Sequence, residues 1–315
     1  MKKPLITHKR SSIFAVILLS SFLLLYPGQN KIQKISIDSS QKDVLGVKTL
    51  DFPKADLPKP IDNFKPLEIS ARSAIVIDVD SAVILYQKDP DLRLPPASTT
   101  KIMTALVALD EYDLNEVVTI DNENFSIGNK SHIKSGEKLS VESLLYALLV
   151  SSGNDAALAL AQHHPKGYVE FINLMNQKAV SLHLTNSQFS NVSGVEQITH
   201  YTTARDLGLL TKEAIKNSIF ANIVNQKEIT IFSINGSISH QLTNTNQLLD
   251  SVEGVIGVKT GWTHLAGECL VTYVSRNDRE IITVVLASED RFKESEKLID
   301  WSYQNHIWIP FPEID

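Results

Sequence analysis

Residues 95–109 read Pro95-Pro96-Ala97-Ser98-Thr99-Thr100-Lys101-Ile102-Met103-Thr104-Ala105-Leu106-Val107-Ala108-Leu109, and the rest of the chain is organised around them. Two prolines end the preceding segment. Ile102, Ala105, Leu106 and Leu109 recur at the spacing of one helix face, so a helix is predicted to begin at Ser98. Lys101 lies one turn further on. Residues three apart share a face, so the hydroxyl and the amine can point into one cleft. The positive end of the helix beside Ser98 suits a developing oxyanion. Ser-x-x-Lys alone says little, because the spacing recurs at Ser39/Lys42, Ser131/Lys134 and Ser135/Lys138. A helix-capping serine with an exposed lysine explains those copies. Ser98 differs in its proline-bounded apolar setting and in two further motifs downstream of it.

The chain has 315 residues, 43% hydrophobic and 21% charged, enough for one large domain or two small ones. A net charge of −6 gives no electrostatic case for nucleic-acid binding. The single cysteine, Cys269, sits in the apolar run Cys269-Leu270-Val271-Thr272-Tyr273-Val274 and reads as a buried strand residue. One cysteine excludes an intramolecular disulfide and a thiolate-built metal site. His163 and His164 are adjacent rather than four apart, with no third ligand evident, and read as a solvated pair. Asp78 and Asp80 read as exposed acids flanking a turn. No metal and no cofactor are expected.

Lys2, Lys3, Lys9 and Arg10 precede an apolar run from Ile13 to Tyr26. A basic flank before such a run is an export signature. No small-x-small cleavage site follows the run, which continues as Pro27-Gly28-Gln29-Asn30; this favours an uncleaved membrane anchor over residues 1–27, with a cleaved signal as the alternative. Either reading places the remainder on the extracytoplasmic side. Residues 28–66, broken by Pro53, Pro58, Pro60 and Pro66, read as a flexible tether. A domain is predicted over 67–305, and 306–315 reads as a short tail.

Within the domain, 74–80 and 82–87 read as strands around an Asp-Ser turn. Residues 112–140 are polar and loop-like. Helices are predicted over 141–150, 156–161 and 168–182, and another opens at Thr202 or Thr203. Strands return over 228–233, 255–259, 268–274 and 280–287, and 293–304 closes as a helix. Strands, then helices, then strands describe an α/β (α+β) fold: an antiparallel sheet, its first strands paired with its last, flanked by helices with a helical subdomain inserted.

Three motifs stand in order: Ser98-Thr99-Thr100-Lys101, Ser152-Gly153-Asn154 and Lys259-Thr260-Gly261. Ser-x-Asn recurs at Ser233/Asn235 and Ser275/Asn277, whereas Lys-Thr-Gly occurs once. The ordered trio is the pattern of penicillin-recognising serine enzymes. With Leu149–Ala157, Tyr201–Leu207, Asn244-Thr245-Asn246 and Gly257–Thr263, residues 70–305 resemble the low-molecular-mass penicillin-binding proteins of the D-alanyl-D-alanine carboxypeptidase family. The resemblance implies a β-lactamase/transpeptidase-like fold.

Ser98 is a poor nucleophile until something takes its proton. No histidine but His264 lies near a motif, so Lys101 is the expected general base, provided it is neutral. Burial and a second cation, Lys259, both lower a lysine pKa. Ser152 can relay a proton to the leaving amine, and Asn154 can position the peptide and Lys101. Lys259 and Thr260 would meet the substrate's terminal carboxylate on a strand whose Gly261 permits close approach, with Trp262 and Thr263 continuing that strand. The resemblance further implies an oxyanion hole from the N–H groups of Ser98 and Trp262, and an arginine, here Arg291, assisting carboxylate binding.

The implied reaction is removal of the terminal D-alanine from peptidoglycan stem peptides through an acyl-enzyme, with β-lactams as covalent inhibitors. Endopeptidase cleavage of cross-links uses the same motifs and stays open. A β-lactamase is disfavoured, since Glu170 and Glu196 do not sit in the Glu-x-x-Leu-Asn setting of a deacylating glutamate. A non-catalytic β-lactam sensor would need a signalling domain. Many family members add a C-terminal β-domain and an anchoring helix; here the N-terminal segment is expected to anchor instead.

Overall fold

The computed structural model describes residues 55–62, 65–121 and 128–310. In chain order it forms β1 (Leu57–Pro60), β2 (Ser73–Asp78), β3 (Ile84–Lys88), a 3-10 turn (Ala97–Thr100), α1 (Lys101–Glu111), β4 (Val117–Thr119), β5 (Lys138–Ser140) and α2 (Val141–Leu149). Then come α3 (Asn154–His163), α4 (Gly167–Ser181), α5 (Ala204–Ala214), α6 (Ser218–Val224), β6 (Glu228–Phe232), β7 (Ser239–Thr243) and α7 (Leu248–Ser251). The chain closes through β8 (Val255–Thr263), β9 (Gly267–Arg276), β10 (Arg279–Ser288), α8 (Arg291–Asn305) and β11 (His306–Ile309).

The main sheet has the order β3-β2-β10-β9-β8, with every neighbouring pair antiparallel. The first strands therefore do pair with the last. Successive side chains on a strand point to opposite faces, and both faces are covered. Ile75, Ile77, Ile282, Val284 and Val271 enter the core shared with the helical layer. Ala74, Val76, Ile281, Val285 and Leu270 pack beneath α8 with Leu298 and Ile299. This two-sided burial is why β2, β9 and β10 read as nearly unbroken apolar runs. The helical layer between β3 and β8 in sequence is built around fully buried Leu144, Leu145, Leu148, Leu160 and Phe171.

Two helix starts fall where the sequence puts them. The hydroxyl of Ser140 accepts from Ser143 N at the start of α2. Thr203, not Thr202, caps α5 by accepting from Asp206 N. Thr202 is engaged instead through its hydroxyl with Ser187 and its backbone with Leu94.

Several expectations need correction. Residues 57–60, assigned to the tether, pair with 306–309, assigned to the tail, in the register Leu57↔Ile309 to Pro60↔His306. Two prolines are tolerated because this two-stranded ribbon has a free edge. The 228–233 strand does not join the main sheet; it forms a separate hairpin with β7. The segment read as loop contains the β4–β5 pair. Asp78 is buried, not exposed: its carboxylate accepts from Ser81 and from Trp308 Nε1 at 2.7 Å, a partner that β11 delivers across the chain. His163 meets Glu116 at 2.8 Å and His164 is 8% exposed, so neither belongs to a freely solvated pair. The predicted anchor, residues 1–27, and tether residues 28–54 lie outside the described residues. Among the described residues no helix is long and apolar enough to cross a membrane.

Candidate active site

Ser98 lies inside the 3-10 turn, not at an α-helix N-cap; α1 itself begins at Lys101. Side chains three apart eclipse in a 3-10 turn, so Ser98 and Lys101 stack directly. Lys101 Nζ donates to Ser98 Oγ at 2.8 Å, to Asn154 Oδ1 at 2.6 Å and to the Ser193 carbonyl at 3.0 Å. The lysine is fully buried. Burial lowers its pKa to about 7, against the opposing pull of the Asp155 carboxylate. Three donations are those of the ammonium; once deprotonated, near neutrality, the amine keeps two N–H bonds for Asn154 Oδ1 and Ser193 O and turns its lone pair to the Ser98 O–H.

The turn is strained where it matters. Ala97, just before the serine, has φ +48°, a left-handed conformation costly for a residue with a Cβ. Its carbonyl is pressed against Gly194, where a Cβ would come within 1.7 Å of Ala97 O. Only glycine fits there, and its φ of +87° also favours glycine.

Ser152 also has a positive φ, +61°, and starts the turn into α3. Gly153 is required by space, since a Cβ would lie 2.2 Å from Ser131 Oγ and 2.6 Å from Asp155 Oδ1. Asp155, which the motif reading left without a role, accepts from the N–H groups of Ser131 at 3.0 Å and Ile133 at 3.3 Å. It thereby ties the turn to the segment after residue 128. Ser152 is buried at 4% exposure, and its hydroxyl is not among the groups that bond Lys101.

The third motif is carried by β8, an edge strand whose one neighbour is β9. It lies against the serine: a Cβ on Gly261 would come within 2.9 Å of Ser98 N. Lys259 is 1% exposed and donates to Thr260 O at 3.1 Å. Its pKa is held well below the usual lysine range by burial, then by the positive charges of Lys101 and Arg291. The cation–cation repulsion expected at Lys101 thus falls on Lys259, and Lys101 owes its shift to burial. Thr260 Oγ1 shares a 2.6 Å hydrogen bond with Thr245 Oγ1, which explains the Asn244-Thr245-Asn246 block. Arg291 Nη1 donates to Gly261 O at 2.9 Å. The arginine therefore holds the backbone of the motif and is absent from the cleft wall.

The cleft, about 740 Å³, is lined by Ser98, Asn154, Trp262 and Thr263 from the expected set. Gly128, Asn129, Ser193–Glu196 and His264 also line it. Trp262 is half exposed and stands edge-on to His264, ring centroids 4.9 Å apart. Glu196 accepts from Leu265 N at 2.7 Å, joining the 193–196 loop to the β8–β9 turn. Sequence reading missed the 191–195 loop. Its signal was Asn191 three before Gly194: the Asn191 side chain accepts from Gly194 N at 2.7 Å and donates to Val195 O at 2.7 Å. Among the described residues no group of three or more His, Cys, Asp or Glu side chains could hold a metal ion.

A family model described as D-alanyl-D-alanine carboxypeptidase matches residues 61–290. The chain is 30% identical over 277 residues to the D-alanyl-D-alanine carboxypeptidase DacF of Bacillus subtilis, covering 85% of this chain and 71% of that one. It is 32% identical over 252 residues to a D-alanyl-D-alanine endopeptidase of Escherichia coli, covering 78% of this chain and 81% of the other. The crystal structure of the Streptomyces K15 DD-transpeptidase superposes with a TM-score of 0.73 at 34% identity, covering 76% of this chain and 99% of that structure.

Proposed function

The chain belongs to the D-alanyl-D-alanine carboxypeptidase family and is a serine-type D-Ala-D-Ala carboxypeptidase, and on that ground we propose that Ser98 is its nucleophile and Lys101 its general base. The observation that carries this is the buried Lys101 amine 2.8 Å from Ser98 Oγ, with Ser98 lining the cleft. Neutral Lys101 takes the Ser98 proton as Oγ bonds to the carbonyl carbon of the penultimate D-alanine. The C–N bond then breaks, and the departing D-alanine takes a proton, for which Ser152 is the relay. Water hydrolyses the ester and frees Ser98. The N–H of Ser98, beside Gly261, and that of Trp262 stabilise the oxyanion; one such donor is typically worth about 3 kcal/mol of barrier. Asn154 holds Lys101 through its Oδ1. Lys259 and Thr260 serve the substrate's carboxylate, with Gly261, Trp262 and Thr263 forming the strand edge along which the peptide extends. Arg291 contributes indirectly, through Gly261.

Mass spectrometry after incubation with penicillin is expected to place the whole drug mass on the peptide containing Ser98. A stem peptide ending in D-Ala-D-Ala should lose one D-alanine. An adduct elsewhere, or no D-alanine released, would overturn the assignment. Endopeptidase action is the second reading, favoured by the similarity to the E. coli endopeptidase. Preferential cleavage of cross-linked over uncross-linked muropeptides would select it, and rapid turnover of a chromogenic cephalosporin would point to a β-lactamase.

We also propose extracytoplasmic placement, with residues 1–27 as anchor and the catalytic domain borne on the adjoining tether. The basic flank and apolar run support it. The full chain should sediment with membranes, and a chain lacking residues 1–27 should not; equal partitioning would refute the anchor.

A further inference from the structure

His200 lies outside all three motifs, yet it is 2% exposed and sits beneath the nucleophile turn. Ser190 N donates to its Nδ1 at 2.9 Å. That nitrogen therefore carries a lone pair, and the neutral ring keeps its proton on Nε2. Nε2 lies 2.8 Å from Thr100 Oγ1, to which it donates. Thr100 can then turn its own hydroxyl proton to the Ala97 carbonyl, 2.8 Å away. All members of this relay are satisfied, with one proton at each link. Burial keeps the imidazole uncharged, lowering its pKa to about 4. The ring is further held edge-on to Phe189, centroids 5.9 Å apart.

The last link, at the Ala97 carbonyl, has the largest consequence. In a trans peptide the C=O and the next N–H point in opposite directions. Fixing the Ala97 carbonyl thus fixes the direction of the Ser98 N–H. Ala97 is left-handed at φ +48°, so the turn has reason to relax if the carbonyl is released. Gly194 blocks that carbonyl sterically but offers it no hydrogen bond from its N–H, which is engaged by Asn191.

We propose that His200 and Thr100 are positioning residues for the reaction. Together they clamp the Ala97 carbonyl so that the Ser98 N–H faces the cleft as an oxyanion donor. This rests on the assignment of Ser98 as nucleophile. Neither residue touches substrate.

The test uses the full chain and a fluorescent penicillin, separating the non-covalent binding constant from the acylation rate constant. Thr100→Val keeps the shape and removes the hydroxyl; it should slow acylation by about tenfold or more, part of what losing a whole oxyanion donor costs, with binding little changed. Thr100→Ser should restore the rate to within about twofold, as a retained hydroxyl should. His200→Phe should slow acylation in the same direction. Because both act through one carbonyl, the double variant should be much less than multiplicative. Given long enough, every variant should still label fully at Ser98. An unlabelled wild type would indict the nucleophile assignment, not the clamp. The clamp itself is overturned if folded Thr100→Val acylates within about twofold of wild type, if the loss lies in binding alone, or if Thr100→Ser fails to rescue. Should His200→Phe not fold, the Val/Ser pair at Thr100 decides alone.

Discussion

Ser98→Ala is expected to lower kcat/KM for a D-Ala-D-Ala peptide by about 10⁴-fold or more and to abolish covalent labelling by penicillin. The magnitude comes from the chemistry. Among the described residues no other hydroxyl shares the Lys101 amine, whose remaining bonds go to the Asn154 side chain and the Ser193 carbonyl. Without Oγ there is no ester, and what remains is binding and oxyanion stabilisation acting on water. The fold should be unaffected. Ser98 is only partly buried and removing one oxygen leaves no large cavity. Its hydroxyl accepts from Lys101 but caps no helix. Stopped-flow labelling together with D-alanine release measures both losses. Retained D-alanine release in a folded Ser98→Ala protein would remove Ser98 from the mechanism.

Lys101→Arg should be nearly as damaging, for a different reason. The base must be neutral, and a guanidinium stays protonated throughout the working range. In the wild type, burial sets the Lys101 pKa at about 7. That value fixes the sign of the pH dependence. Below pH 7 the protonated, inactive form dominates, so acylation should fall about tenfold per pH unit; above pH 7 it should level off. The plateau belongs to the high-pH side, opposite to a reaction needing a protonated acid of that pKa. Lys101→Arg should show neither the rate nor the inflection. Lys101→Met, close in volume, should leave a slow residual rate without that inflection. A wild-type profile flat from pH 5 to pH 9 would sink Lys101 as base. Lys259 is less directly coupled to the serine, because its amine bonds Thr260 O rather than Ser98.

How well the sequence could be read depended on distance along it. Ser98 and Lys101 are three apart, and the turn alone brings them together. The apolar runs of β2, β9 and β10 told their location because both sheet faces are buried. Arg291 was read as reaching the substrate, yet it bonds Gly261 O; both readings leave the same residue type in the same place. Asp78 does flank the turn, bonding Ser81, but β11 brings Trp308 over it and it is buried rather than exposed. The edge pairing of 57–60 with 306–309 joins residues at opposite ends of the described chain, where no local pattern could announce it.

The sequence by itself determined the adjacency of Ser98 and Lys101, the order of the motifs, the antiparallel sheet and the family, because each rests on residue type and short spacing. Only the tertiary structure decided that Lys101 is fully buried with its pKa lowered to about 7, that the Ser193 carbonyl accepts from it and Gly194 lies against Ala97, and that His200 reaches the Ser98 turn through Thr100. These depend on which distant segments exclude water from one another, a property of packing in three dimensions that local pattern does not encode.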